Sequence, residues 1–160
     1  MLYDQDNYIW KTVGLGAVAG MRAMSAPAIL SNELSKIPTA HLSHSPLHYL
    51  QSGPVSTGLK LMAATEMLGD KIPRIPDRIS PPSLLIRAAS GAVVGATLFT
   101  ANKDKAVKGA LLGALAAVAA TYGSFYLRKT VTEHTSFPDS FSGAIEDALM
   151  LSSGLAITKS

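Results

Sequence analysis

The stretch "AVKGALLGALAAVAATYGSFYL", Ala106 to Leu127, carries one charged residue, Lys108, near its start. Few folds accept such a segment. A water-facing helix shows a broad polar face at helical spacing, and this stretch has none. A half-buried strand alternates and favours β-branched residues, and this stretch does neither. What remains is a helix surrounded by apolar matter. Four more apolar runs accompany it: Thr12 to Leu30 with Arg22 inside, Val55 to Leu68 with Lys60 and Glu66, Leu84 to Ala101 with Arg87 near its start, and Phe141 to Ile157 with Glu146 and Asp147. A bilayer-spanning helix needs about 20 mostly apolar residues. By length the first, third and fourth runs qualify. The second and fifth are short, and their carboxylates need partners to sit in lipid.

Composition agrees. Hydrophobic residues make up 48% of the 160 and charged residues 16%, against roughly 25% charged in average domains. The net charge of +3 comes in small clusters, without the basic stripe and interleaved aromatics that nucleic acid demands. Cysteine is absent, which removes disulfides and thiol chemistry. The opening "MLYDQDNYIW" lacks the basic start of a signal peptide, so the first run is expected to be retained.

The pentapeptide "GAVAG" at Gly16–Gly20 returns as "GAVVG" at Gly91–Gly95 and "GALLG" at Gly109–Gly113. Positions i and i+4 share a helix face. Helices in lipid associate by close packing, which small residues permit. The six glycines Gly16, Gly20, Gly91, Gly95, Gly109 and Gly113 are therefore expected to be helix-packing surfaces. A phosphate-binding glycine loop would need a preceding strand and a different spacing.

"NKDK" at Asn102–Lys105 reads as a tight turn that pairs the third and fourth runs into a helical hairpin. Ser31–Pro54, with three prolines and three histidines, reads as an interfacial loop. His41, His44 and His48 within it are close to one helical face, but Pro46 interrupts that helix, and no metal site is assigned. Gly69–Ser83 is rich in proline and charge and must be extended or turned. Aromatic residues flank the runs (Tyr8, Trp10, Tyr49, Phe99, Tyr122, Tyr126, Phe137 and others), as at membrane–water interfaces.

Charge inside the runs is the most informative feature. An Arg at a bilayer centre costs roughly 2.5–3.5 kcal/mol on insertion scales, so Arg22 needs an acid or a route to water. Glu66, Asp70, Glu146 and Asp147 are the acids on offer, and Arg87 is a second cation in a run. Two readings stand side by side: internal ion pairs that lock short helices, or a polar pocket for a small ion or solute formed by Arg22, Glu66, Asp70, Arg87, Glu146 and Asp147. In the second, Lys71, Pro73, Pro76 and Arg78 form a loop or gate. A weak duplication relates Pro54, Gly58 and "ATE" to Pro138, Gly143 and "AIE", the pattern of an inverted repeat. Flanking Lys and Arg residues place the N-terminus in the cytoplasm by a thin margin, and a dual topology is compatible with the near balance.

The segments "GAVAGMRAMSAP", "AATEMLGDKIPRIPDRISPP", "RAASGAVVGA", "KGALLGA", "YGSFYLRK" and "PDSFSGAIEDAL" together resemble a family of small bacterial integral membrane proteins, catalogued as domain of unknown function four-one-two-six. The most specific part is the pattern E-x-x-G-D-K-x-P-x-x-P-x-R-x-x-P-P from Glu66 to Pro82. The resemblance implies a polytopic helical fold and no particular activity. The sequence thus predicts an all-α membrane bundle of about five short or broken helices, one transmembrane domain over residues 1–160, in a bacterial inner membrane. The expected partners are the lipid bilayer and either a second copy or helices of a membrane complex. No cofactor, metal or enzymatic activity is expected. A transporter or channel is the leading function, and a structural or assembly subunit the alternative.

Overall fold

A computed structural model describes residues 7–69, 79–134 and 152–158. Its main elements are α1 (Tyr8–Met21), α2 (Ser25–Lys36), α3 (Gly53–Gly69), α4 (Pro81–Ala101) and α5 (Ala106–His134). Short 3-10 helices at Ala40–Leu42 and Pro46–Gln51 link α2 to α3, and residues 152–158 are helical. Among the described residues there is no strand. The sequence-predicted site and loop residues Asp70, Lys71, Pro73, Pro76, Arg78, Glu146 and Asp147 lie outside the described residues.

α4 and α5 form an antiparallel hairpin, and α1 packs along both. At the turn, Asn102 caps α4, and Lys103 takes a left-handed φ of 62°. The glycines bring the helices together. A Cβ on Gly95 would strike the Gly109 carbonyl oxygen, and one on Gly109 would strike that of Gly95. Gly91 and Gly113 are reciprocal in the same way. On α1, a Cβ on Gly20 would strike the Ala117 carbonyl oxygen, and one on Gly16 would lie 2.8 Å from the Gly113 carbonyl oxygen. Three helices therefore touch backbone to backbone along one seam. At its lower end Tyr8 packs edge-on against Phe99, ring centroids 4.8 Å apart. Phe99 is buried; it belongs to the core and not to an interfacial belt. Trp10, Tyr49 and Tyr126 do lie on the surface.

The first apolar run is not one span. It divides into α1, 14 residues, and α2, 12 residues. Pro27 explains the cut. In a continuous helix its nitrogen would donate to the Ala23 carbonyl, and proline has no N–H to give. Arg22 breaks helical geometry at φ −143°, ψ 118°, and the chain turns sharply before α2 begins. Val18 on α1 and Ile29 on α2 then flank the same residue, Gly154. An uninterrupted helix would hold those two roughly 16 Å apart along its axis.

Two helices, Pro81–Ala101 and Ala106–Leu127, are long and apolar enough to cross a membrane by length and composition. Only 17% of the most apolar 18-residue stretch of the second lies buried. Val107, Leu111 and Leu115, at helical spacing on α5, are each more than 60% exposed, an apolar stripe that a soluble monomer rarely shows to water.

Candidate functional site

Cutting a helix orphans carbonyls at one end and N–H groups at the other. In a low-dielectric surrounding each must find a partner. Most of these groups at the cut between α1 and α2 have one, and the partners come from three other helices.

The carbonyl end of α1 is held by Arg87 of α4. Its Nη1 donates to the Gly20 oxygen at 2.5 Å and the Met21 oxygen at 2.6 Å. Nε donates to Ser83 Oγ at 3.3 Å, which steadies the side chain. Thr121 of α5 shares its hydroxyl between the Gly20 oxygen at 2.9 Å and its own Ala117 oxygen at 2.8 Å. That reach exists because Gly20 has no Cβ to hold α5 away. The Ala23 oxygen, deprived of Pro27, accepts instead from Ser90 Oγ of α4.

The amide end of α2 is held by Glu66 of α3. Oε1 accepts from the Ala23 N–H at 3.0 Å and Oε2 from the Met24 N–H at 2.9 Å. The Ser25 N–H donates to the Arg22 oxygen at 3.3 Å. A helix carries partial positive charge at its N-terminus and partial negative charge at its C-terminus. An anion thus faces the first and a cation the second, so both half-helix dipoles are countered. Arg87 and Arg22 are 7% and 4% exposed, and both sit at this cut.

Depth follows from helix rise. Arg87 lies six residues into α4, about 9 Å from its start, and Thr121 lies six residues before Leu127, again about 9 Å. Both spanning candidates therefore place the cut at the same level, about 9 Å in from the end of the apolar stretch.

The structure brings together Arg22, Glu66 and Arg87 from the sequence-predicted set. It gives Glu66 and Arg87 backbone partners at the cut, which sequence reasoning did not foresee. Thr121, Ser90 and Ser83 also serve the site. Their signal was small polar residues on glycine-lined helix faces, which bond across helices in membranes. Beside the cut, between α2 and α3, a groove of about 280 Å³ is lined by Ser25, Asn32 and Lys60 together with apolar residues. His41 and His44 are exposed, and His48 Nδ1 lies 2.9 Å from the Ser45 oxygen. Among the described residues no three His, Asp or Glu side chains gather as a metal site.

The family model for the domain of unknown function DUF4126 matches residues 9–157. The chain belongs to that family. The match spans both halves of the cut first helix, the hairpin, and the helices that supply Glu66, Arg87 and Thr121. No curated protein and no solved structure matches the chain. The DUF4126 description names no activity, so function is argued from the geometry.

Proposed function

We propose that this DUF4126 chain is a multi-pass protein of the bacterial inner membrane that carries a small ion or polar solute, without enzymatic activity, through a site at the cut in its first helix. One observation carries the reading: a helix is interrupted alongside the two long apolar helices, with its two free ends presented to a carboxylate and a guanidinium from other helices. An unbroken helix would satisfy the same backbone with no outside help. Interrupted helices whose ends point at a polar site are the device by which secondary transporters bind solutes and coupling ions. Glu66 is the group through which a proton would couple. In this state its carboxylate occupies the α2 N-terminus, the position an anionic solute would take. The exposed apolar stripe on α5 supports contact with lipid, or with a second copy or partner helix.

A second reading has its own support. Glu66 accepts from backbone amides, and Arg87 donates to backbone carbonyls and to Ser83. Such contacts also suit a non-transporting structural subunit. Flux into proteoliposomes separates the two. The carrier reading expects uptake of a small ion or polar solute by the native chain, and its loss in a folded Glu66→Gln variant. Absence of flux across inorganic and organic ions, with both Glu66→Gln and Arg87→Met failing to fold, supports the structural subunit.

A further inference from the structure

Ser25 is the first residue of α2 and 1% exposed, and its Oγ has no hydrogen-bond partner among the described residues. Its own N–H is used by Arg22, and the preceding two N–H groups are used by Glu66. The hydroxyl is thus an uncommitted donor at this helix end. Buried hydroxyls are normally bonded, and an exception needs an explanation. Ser25 lines the groove of about 280 Å³ between α2 and α3. Lys60 of α3 lines it as well and forms no ion pair with a described residue. The remaining walls include Ala28, Ile29, Ala63 and Leu155.

We propose that this groove binds a small amphiphilic anion, a carboxylate or phosphate monoester on a short hydrocarbon body. Lys60 supplies the countercharge, Ser25 Oγ donates to the head group, and the alanine, isoleucine and leucine walls cover the carbon chain. The groove is mostly apolar, and among the described residues that line it the one titratable group is a cation, so the charged ligand it favours is an anion. Its volume is roughly twice the 150 Å³ that accepts a benzene molecule, which sets a body of about ten non-hydrogen atoms. The inference rests on the carrier reading for one point, that the bound anion is the transported solute.

The test uses the full chain in nanodiscs of phosphatidylcholine, with hexyl phosphate as probe and hexanol as its uncharged counterpart. Hexyl phosphate is expected to bind saturably and hexanol not. Lys60→Gln should weaken hexyl phosphate at least tenfold and Ser25→Ala about threefold or more, while Ser25→Thr, which keeps the hydroxyl, retains most of the affinity. Circular dichroism and gel filtration confirm that each variant is folded. Repeating the titration in nanodiscs containing phosphatidylglycerol identifies the natural source. Competition assigns the groove to an acidic lipid head group, and its absence assigns it to a free solute. Equal uptake of hexyl phosphate by native chain and Lys60→Gln overturns the site. Saturable binding with no flux of hexyl phosphate or of any other ion or solute in proteoliposomes keeps the site and removes the carrier reading. Flux of another solute with no hexyl phosphate binding does the reverse.

Discussion

The α4–α5 hairpin and the α1–α2 pair are built from the same kind of sequence and held by opposite means. In the hairpin, long helices meet through Gly91, Gly95, Gly109 and Gly113, with carbonyl oxygens where side chains would be. No charge takes part in that seam. In the α1–α2 pair the helices are short, and the joint between them is closed by Arg87, Glu66, Ser90 and Thr121. Where hydrophobicity supplies no drive between helices, either shape or polar bonding must hold them. This chain uses shape for the spans and polar bonding for the cut. The two devices meet at Gly20, which admits the α5 backbone and offers its carbonyl to both Arg87 and Thr121.

That contrast breaks most severely at Arg87. Arg87→Met keeps the length of the side chain and leaves the Gly20 and Met21 oxygens without their cation. Hydrogen bonds to charged groups contribute about 1.5–3 kcal/mol each, so a loss of about 3 kcal/mol or more is expected, read by denaturant unfolding in detergent micelles. Loss within a few tenths of a kcal/mol would show that the cut is not held by Arg87. The hairpin answers to a smaller change. Gly109→Ala places a Cβ against the Gly95 carbonyl and the Phe99 ring, and overpacking of this kind costs about 1–3 kcal/mol. The control lies on the same helix. Gly123 has open space around it, so Gly123→Ala is expected to stabilise α5 by up to about 1 kcal/mol through helix propensity alone. If the two substitutions move stability in the same direction, close backbone contact is not what joins the spans.

Glu66→Gln sharpens the other half of the comparison. The amide keeps one accepting oxygen, so one of the Ala23 and Met24 N–H groups loses its partner and the charge facing the α2 dipole is gone. A cost of about 1–2 kcal/mol is expected, the size of a lost cap. Glu66→Asp keeps the charge but shortens the reach, and should cost no less. A pair of variants at wild-type stability would separate Glu66 from the joint.

The hairpin was open to a reader of the sequence because its causes are local. "NKDK" is a turn by composition, the pentapeptides put glycines on one face, and the apolar length speaks for itself. The cut was legible only in part. Arg22, Glu66 and Arg87 stood out as charges in apolar runs, and Pro27 lay in plain view inside the first run. Hydropathy, however, reads α1 and α2 as one stretch, since the break alters hydrogen bonding and not composition. The deeper obstacle is that a half-helix end carries charge that no residue letter records. A search for partners of Glu66 among Arg and Lys therefore passes over the amides of Ala23 and Met24.

One polar bond ties the two regions together away from the cut, and it is the mildest test. Tyr8, at the start of α1, donates its hydroxyl to Asp104 Oδ2 at 3.0 Å, in the turn of the hairpin. The Lys105 backbone N–H, then that hydroxyl, with Lys108 at 3.6 Å, hold the Asp104 carboxyl below its ordinary range. A carboxylate whose folded value lies below its unfolded one stabilises fully above the unfolded value, near 4, and loses that contribution as pH falls through the folded value. Native chain should therefore lose thermal stability on acidification from about pH 5 toward pH 3 more steeply than Asp104→Asn, which has no charge to lose, while the two should run parallel from about pH 6 to 8. Tyr8→Phe should flatten the same acid limb less than Asp104→Asn does, because the Lys105 amide still holds the carboxylate. Identical acid limbs in all three proteins would show that α1 is fastened to the hairpin by its glycine seam and its cut end, with no help from the turn.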